Sequence, residues 1–148
     1  MPPVLLNKKL IIAILAIAFI GFLDATYLTV KHYQEVIPPC TLTEGCEAVL
    51  TSKYNNFFGI PVALFGSLYY LAIFFGIFAY LNNPNNTKIL TLTARATWLG
   101  FVMSLYFAYL QIFIIKSLCI YCLFSALTST LIFILGQVIL RKTKLWAV

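Results

Sequence analysis

Four long runs of residues with almost no charge dominate this chain. Residues 10–30 contain one charged side chain, Asp24, and residues 54–87, 96–115 and 117–140 contain none. A helix crosses the roughly 30 Å hydrocarbon layer of a bilayer with about 20 residues, because each residue adds about 1.5 Å. The sequence therefore predicts an all-α integral membrane protein, a bundle of four transmembrane helices at about residues 10–30, 59–81, 89–115 and 118–140.

The composition supports this prediction. Charged residues make up 9% of the chain, whereas they make up about a quarter of an average soluble domain. The helices and their short connections account for most of the 148 residues. We expect residues 1–148 to form a single four-helix domain in the lipid bilayer, with no soluble domain beside it.

Lysine and arginine are distributed unevenly between the two ends of the predicted bundle. Seven would lie with the chain termini and three at the other end: Lys8, Lys9, Lys88, Arg95, Arg141, Lys142 and Lys144 against Lys31, Lys53 and Lys116. Basic residues near helix ends are retained in the cytoplasm. The pattern therefore predicts a multi-pass cell-membrane protein with both termini cytoplasmic and the loop 31–58 outside. Because the cations are scattered and not gathered on one surface, a nucleic-acid partner is not expected.

The outer loop carries a second local pattern. Pro38 and Pro39 prevent a simple continuation of the first helix. Between residues 43 and 54, the less polar side chains recur at helical spacing: Cys46, Val49, Leu50 and Tyr54. This spacing predicts a short amphipathic helix that lies in the membrane interface.

The four cysteines all fall at the outer end. Cys40 and Cys46 lie in the loop, and Cys119 and Cys122 lie at the start of the fourth helix, where their spacing places them on one helical face. Cysteines that served only as small core side chains would occur at any depth. Their confinement to a compartment where disulfides persist favours a joint chemical role.

Three interpretations compete for these cysteines: two structural disulfides, a zinc ion held by four thiolates, and a relay of two exchanging dithiols. Structural zinc sites usually have two to four residues between paired ligands, whereas five separate Cys40 from Cys46. A structural disulfide between Cys119 and Cys122 would close a very short loop and stabilise the fold weakly. We therefore favour the relay, without excluding the other two interpretations.

The start of the fourth helix suits a reactive thiol. Free backbone N–H groups point out of a helix N-terminus, and both the helix dipole and Lys116 are expected to favour a thiolate, which is the reactive species in disulfide exchange. The electrons then need an acceptor. No haem, flavin or metal motif is visible, whereas a quinone dissolves in the lipid and fits an apolar pocket between helix ends.

The combined motifs resemble those of the vitamin K epoxide reductase family, in its microbial form. The resemblance covers roughly residues 21–124. It rests on Cys40 and Cys46 with five residues between them, Ser52 six residues later, the segment Asn55–Val62 with the sequence NNFFGIPV, and Cys119-Ile120-Tyr121-Cys122. It implies a four-helix bundle around a quinone of the menaquinone or ubiquinone type, and electron transfer from a thioredoxin-fold partner.

The resemblance also implies a role for each cysteine. Cys40 would react with the partner, Cys46 would exchange with Cys119, and Cys122 would face the quinone. Ser52 and Asn55 correspond to polar residues near the active centre, although such residues more often simply form turns. Phe58 lies in the same motif, and Tyr106 and Tyr109 on the third helix are further candidates for the quinone pocket.

Two departures from the family pattern affect the expected function. Many microbial members carry a fused thioredoxin-like domain, which is not in this sequence, so the implied partner is a separate thiol carrier. Animal members have a tyrosine one turn after the last cysteine, where this chain has Ala126. We therefore expect a thiol:quinone oxidoreductase that makes disulfides for exported proteins. A quinone or vitamin K epoxide reductase that consumes external thiols is the alternative.

Overall fold

The computed structural model describes residues 3–41 and 45–146, without the side chains of residues 3–7 and 144–146. Its elements, in chain order, are α1 (Pro3–Tyr33), α2 (Cys46–Leu50), β1 (Asn56–Phe57), β2 (Ile60–Pro61), α3 (Val62–Asn82), α4 (Thr87–Tyr109) and α5 (Ile120–Trp146). A 3₁₀ turn occupies Lys53–Asn55, and a π-helical turn, Leu110–Ile115, continues α4.

Four helices in the described part of the chain are long and apolar enough to span a membrane, which confirms the predicted all-α membrane bundle. Helix α1 packs against α3 and α5, and α4 packs against the same two helices. Large apolar side chains cover the outside of the bundle, as lipid contact requires; Leu92 is 72% exposed. Helix α1 begins at Pro3 and α5 continues to Trp146, so both are longer than the hydrophobic runs alone indicated.

Helices α1, α3 and α5 pack closely around Tyr70. Tyr70 on α3 is buried against Gly21 on α1, where a Cβ atom would lie 2.5 Å from the tyrosine ring. The Tyr70 hydroxyl donates a 2.7 Å hydrogen bond to the carbonyl oxygen of Ser125 on α5 and lies 2.8 Å from the hydroxyl of Thr128. A larger residue than glycine at position 21 would displace the ring that joins these helices.

The loop between α1 and α3 contains the predicted helix in a shorter form. Helix α2 spans five residues, with Cys46 and Val49 buried, and residues 43 and 44 lie outside the described residues. It ends because Ser52 has an extended backbone (φ −66°, ψ 153°) and its hydroxyl donates a 2.8 Å hydrogen bond to the carbonyl oxygen of Val49. Such bonds from serine to the backbone compete with helix continuation.

The link between α4 and α5 is sharply bent. In the π-helical turn, the carbonyl oxygen of Gln111 accepts hydrogen bonds from the backbone N–H groups of Lys116 and Ser117, and Lys116 adopts a left-handed conformation (φ 57°). The chain reverses within the segment 116–119, which we call the link. This reversal places Cys119 immediately before α5 and beside the loop that carries α2.

Candidate active site

All four cysteines meet at one end of the bundle. Cys46 and Cys119 are buried in a common cluster with Val49, against which Cys40 and Cys122 pack. Cys40 and Cys46 form a disulfide with their Cα atoms 6.2 Å apart, whereas Cys119 and Cys122 are free thiols. The two pairs lie in contact but in different oxidation states.

Two contacts hold the loop on the link. Gly45, which precedes α2, packs directly on Leu118, where a Cβ atom would lie 2.6 Å from the Leu118 carbonyl oxygen and 2.7 Å from its backbone nitrogen. The hydroxyl of Tyr121 donates a 2.9 Å hydrogen bond to the carbonyl oxygen of Pro39, next to Cys40. Only glycine allows this approach at position 45, because any side chain would collide with the link.

Cys119 occupies the cap position of α5. Its carbonyl oxygen accepts a 3.0 Å hydrogen bond from the backbone N–H of Leu123, so its side chain lies beside the free N–H groups of the first turn. A hydrogen bond from the Cys122 thiol, assisted by the backbone N–H groups of Cys122 and Tyr121, lowers the pKa of the Cys119 thiol to about 7, against the opposing effect of burial. The start of α5 therefore favours a thiolate at Cys119.

The predicted contribution of Lys116 was wrong. Its side chain is exposed at the end of the π-helical turn, and it is not among the described groups that lower the pKa of Cys119. The left-handed backbone at Lys116 directs the chain back toward α5, and the Lys116 side chain is exposed. The thiolate is favoured by hydrogen bonds at the helix start, as the free N–H groups there predicted.

A cavity of about 620 Å³ opens beside the redox pair and between the helices. Its wall is mainly apolar and aromatic, with contributions from all five α-helices, and it includes Cys122 but not Cys119. This size lies within the range of small-molecule sites, roughly 300–1,000 Å³. Cys122 is thus the cysteine that a bound molecule would meet.

Ser52 and Asn55 both line this cavity and also stabilise its rim. The hydroxyl of Ser52 bonds to the Val49 carbonyl, and the Asn55 side-chain nitrogen donates a 2.7 Å hydrogen bond to the carbonyl oxygen of Leu50. An amide nitrogen carries two hydrogens, so Asn55 retains one for a ligand oxygen. The apolar wall and this remaining donor fit a quinone, which combines a flat ring with carbonyl oxygens.

Of the three aromatic residues predicted to line the quinone pocket, one lines the cavity and two do not. Tyr106 lines the cavity. Phe58 does not, because it forms the turn of the β1–β2 hairpin with a left-handed backbone (φ 52°) and is 90% exposed. Tyr109 is also outside the cavity lining; it is 53% exposed and contacts Phe113. We therefore leave Phe58 and Tyr109 out of the proposed binding site.

Sequence reasoning left one residue that shapes this site unassigned, Gln111, and missed two others, Tyr70 and Tyr121. Gln111 is buried and holds the link, Tyr70 lines the cavity and joins α3 to α5, and Tyr121 holds the loop. Gln111 was the most visible of them in the sequence, as a polar residue inside an apolar run. Its direction depends on the π-helical turn, which ordinary helical periodicity does not predict.

The family comparison agrees with this geometry. The model of the vitamin K epoxide reductase family matches residues 12–136 of the chain. The chain belongs to this family. Members of the vitamin K epoxide reductase family are membrane oxidoreductases that use a quinone and generally work with a thioredoxin-like partner.

Residues 3–41 and 45–146 contain no group of side chains that is typical of a metal site. No three His, Cys, Asp or Glu side chains among them come together in a group that could hold a metal ion. The first cysteine pair is joined as a disulfide, and disulfide sulfurs are not the thiolates that zinc binds.

Proposed function

We propose that this protein is a membrane thiol:quinone oxidoreductase that generates disulfides for exported proteins. Electrons would pass from a separate thioredoxin-fold carrier to the Cys40–Cys46 disulfide, then to Cys119 and Cys122, and then to a menaquinone or ubiquinone. The residues proposed to bind the quinone are Cys122, Ser52, Asn55 and Tyr106, all of which line one cavity.

The observation that carries this proposal is the order of access to the four sulfur atoms. Cys40 is partly exposed, Cys46 and Cys119 are 1% and 0% exposed, and Cys122 faces the cavity. A soluble carrier could reach only the first cysteine, and a lipid-borne molecule could reach only the last. The two buried cysteines lie between them in one cluster, where an internal exchange would occur.

The proposed steps balance in electrons and atoms. The carrier dithiol reduces the Cys40–Cys46 bond and becomes a disulfide. The Cys46 thiolate then attacks Cys119 of an oxidised Cys119–Cys122 pair, Cys122 leaves as a thiolate, and Cys40 displaces Cys119 from Cys46. Reoxidation of the Cys119–Cys122 dithiol releases two electrons and two protons, which a quinone accepts to become a quinol.

Ala126 favours a quinone over an epoxide as the substrate. It lines the cavity one turn after Cys122 and presents only a methyl group. Opening an epoxide needs a proton donor near the ring oxygen, and the methyl group at this position, one turn after Cys122, provides none. We therefore place reduction of a quinone ahead of reduction of vitamin K epoxide.

We also propose that the cysteine end is extracytoplasmic, on the basis of the seven cations against three. A membrane-impermeant maleimide, applied to intact cells after mild reduction, should label Cys40 or Cys46. Labelling that requires access from the cytoplasmic side would reverse the topology and remove the oxidising compartment from the account.

Thiol titration combined with metal analysis tests the proposed activity against its rivals. The relay predicts that a mild dithiol converts about one disulfide per chain to thiols, that added quinone restores it, and that zinc is far below one ion per chain. Disulfides that resist the dithiol would indicate structural bonds, and one zinc per chain would indicate a metal site.

A further inference from the structure

Gln111 occupies a position between the redox pair and the cavity. It belongs to the π-helical turn after α4, is 3% exposed, and is one of the residues that line the cavity. Its side-chain Oε1 accepts a 3.0 Å hydrogen bond from the backbone N–H of Cys119. The same side chain therefore contacts the reactive cysteine and the space where the quinone is proposed to bind.

The bond to Cys119 determines the orientation of the Gln111 amide. A backbone N–H can only donate, so the atom that faces it is the oxygen, and the nitrogen must point elsewhere. This Nε2 atom carries two hydrogens and donates to no described residue. By contrast, Oε1 accepts the N–H of Cys119, and the main-chain oxygen accepts the N–H of Ser117. Because Gln111 lines the cavity, this nitrogen is available to donate a hydrogen bond to a ligand oxygen there.

The bond also holds Cys119 at the cap of α5. In many helices a Glu or Gln three residues after the cap binds the N–H of the cap residue, and that position is here Cys122. Gln111 performs this role from the preceding helix. It thereby keeps the Cys119 sulfur beside the N–H groups of the first turn, which stabilise its thiolate.

We propose that Gln111 is a quinone-binding and positioning residue, whose Nε2 donates a hydrogen bond to a quinone carbonyl oxygen while its Oε1 holds Cys119. This proposal rests on the proposed function and adds a direct connection between the bound quinone and the thiol pair. The main-chain oxygen of Gln111 also accepts the N–H groups of Lys116 and Ser117, which fixes its backbone in the π-helical turn.

Binding of ubiquinone-1 to the oxidised protein tests the donor role without turnover. Gln111→Glu keeps an oxygen for the Cys119 N–H but replaces the donor nitrogen by an oxygen, and Gln111→Met removes both groups at similar length. We expect each variant to raise the Kd about tenfold, the scale of one hydrogen bond, in a fluorescence-quenching titration in detergent. Gln137→Met is the matched control, since Gln137 bonds to the Ala94 carbonyl and does not line the cavity.

Titration of the Cys119 thiolate tests the positioning role separately. The ionisable groups that interact with Cys119 among the described residues are Asp24 on α1 and Tyr121 and Cys122 on α5, and all three stay in place. In a Cys40→Ala/Cys46→Ala background, thiolate absorbance should rise with a midpoint near pH 7. Gln111→Met should raise this midpoint by about one pH unit. Without the bond from its N–H to Gln111, Cys119 is no longer held beside the N–H groups that stabilise its thiolate.

The outcomes separate this proposal from the proposed function. Ubiquinone-1 binding that is unchanged in Gln111→Glu would overturn the donor role, and an unchanged thiolate midpoint in Gln111→Met would overturn the positioning role. If Gln111→Met does not fold, Gln111→Glu must still weaken ubiquinone-1 binding, because its carboxylate has no hydrogen to donate. Absence of quinone binding by the unmodified protein would instead contradict the proposed function.

Discussion

Cys122→Ser is expected to abolish quinone reduction with every thiol donor. The cavity wall contains Cys122 and not Cys119, so without this sulfur the reduced protein has no thiol in contact with the bound molecule. We expect turnover to fall by about 10⁴-fold or to the uncatalysed rate, the scale on which loss of a reacting group acts. The measurement is quinone absorbance over time with purified protein, first with a thioredoxin-fold donor and then with a small dithiol.

Cys40→Ser is the matched comparison. Cys40 is the partly exposed cysteine of the loop pair, and its proposed task is reaction with the carrier. A small dithiol can enter when the loop opens and reduce Cys119 and Cys122 directly. Cys40→Ser should therefore lose turnover with the protein donor and keep part of it with the small dithiol. Full activity of Cys122→Ser, or equal loss with both donors in Cys40→Ser, would contradict the assigned order of the cysteines.

The second large effect is a trapped disulfide between Cys46 and Cys119 in Cys40→Ser. These two sulfurs belong to the same buried cluster, and removal of Cys40 removes the thiol that would resolve their bond. The test is a protease site in the exposed turn 83–86, which separates α3 from α4, followed by cleavage and a non-reducing gel after acid quenching. The two halves should stay joined in a substantial fraction of the protein and separate on addition of a reductant.

Two further variants identify the trapped bond. Addition of Cys119→Ser should release the halves, whereas addition of Cys122→Ser should leave them joined when the protein is oxidised. Gly45→Ala should lower the trapped fraction several-fold, because its methyl group would push the loop off Leu118. Halves that separate without a reductant in Cys40→Ser, or that stay joined when Cys119 is absent, would rule out the proposed exchange.

The sequence predicted the elements of the fold better than their precise ends. Uncharged runs of this length are typical of membrane helices, so the four spans and the short links followed from hydropathy. The sequence also predicted that the four cysteines would lie close together, because all of them fall at the same end of the bundle. The length of α2 did not follow, because the bond from Ser52 to the Val49 carbonyl ends the helix earlier than the apolar spacing suggested.

The residues that line the site were only partly predictable. Phe58 lies in the family motif, but the tight β1–β2 hairpin directs it away from the cavity. Tyr106 and Tyr109 are three positions apart on one helix, and small differences in helix rotation decide which of them faces inward. Gln111 depends on the wider π-helical turn, which changes the direction of every following side chain relative to an α-helix.

The most direct test of the central claim is a single turnover of the reduced protein. Protein reduced by dithiothreitol, freed of the reductant and mixed anaerobically with excess ubiquinone-1, should form about one quinol for each dithiol oxidised. Peptide mapping at the earliest times should find the new disulfide between Cys119 and Cys122, before any change in the Cys40–Cys46 pair. Quinol formation in which the Cys40–Cys46 disulfide appears first, or which proceeds with Cys119 and Cys122 still reduced, would contradict the account.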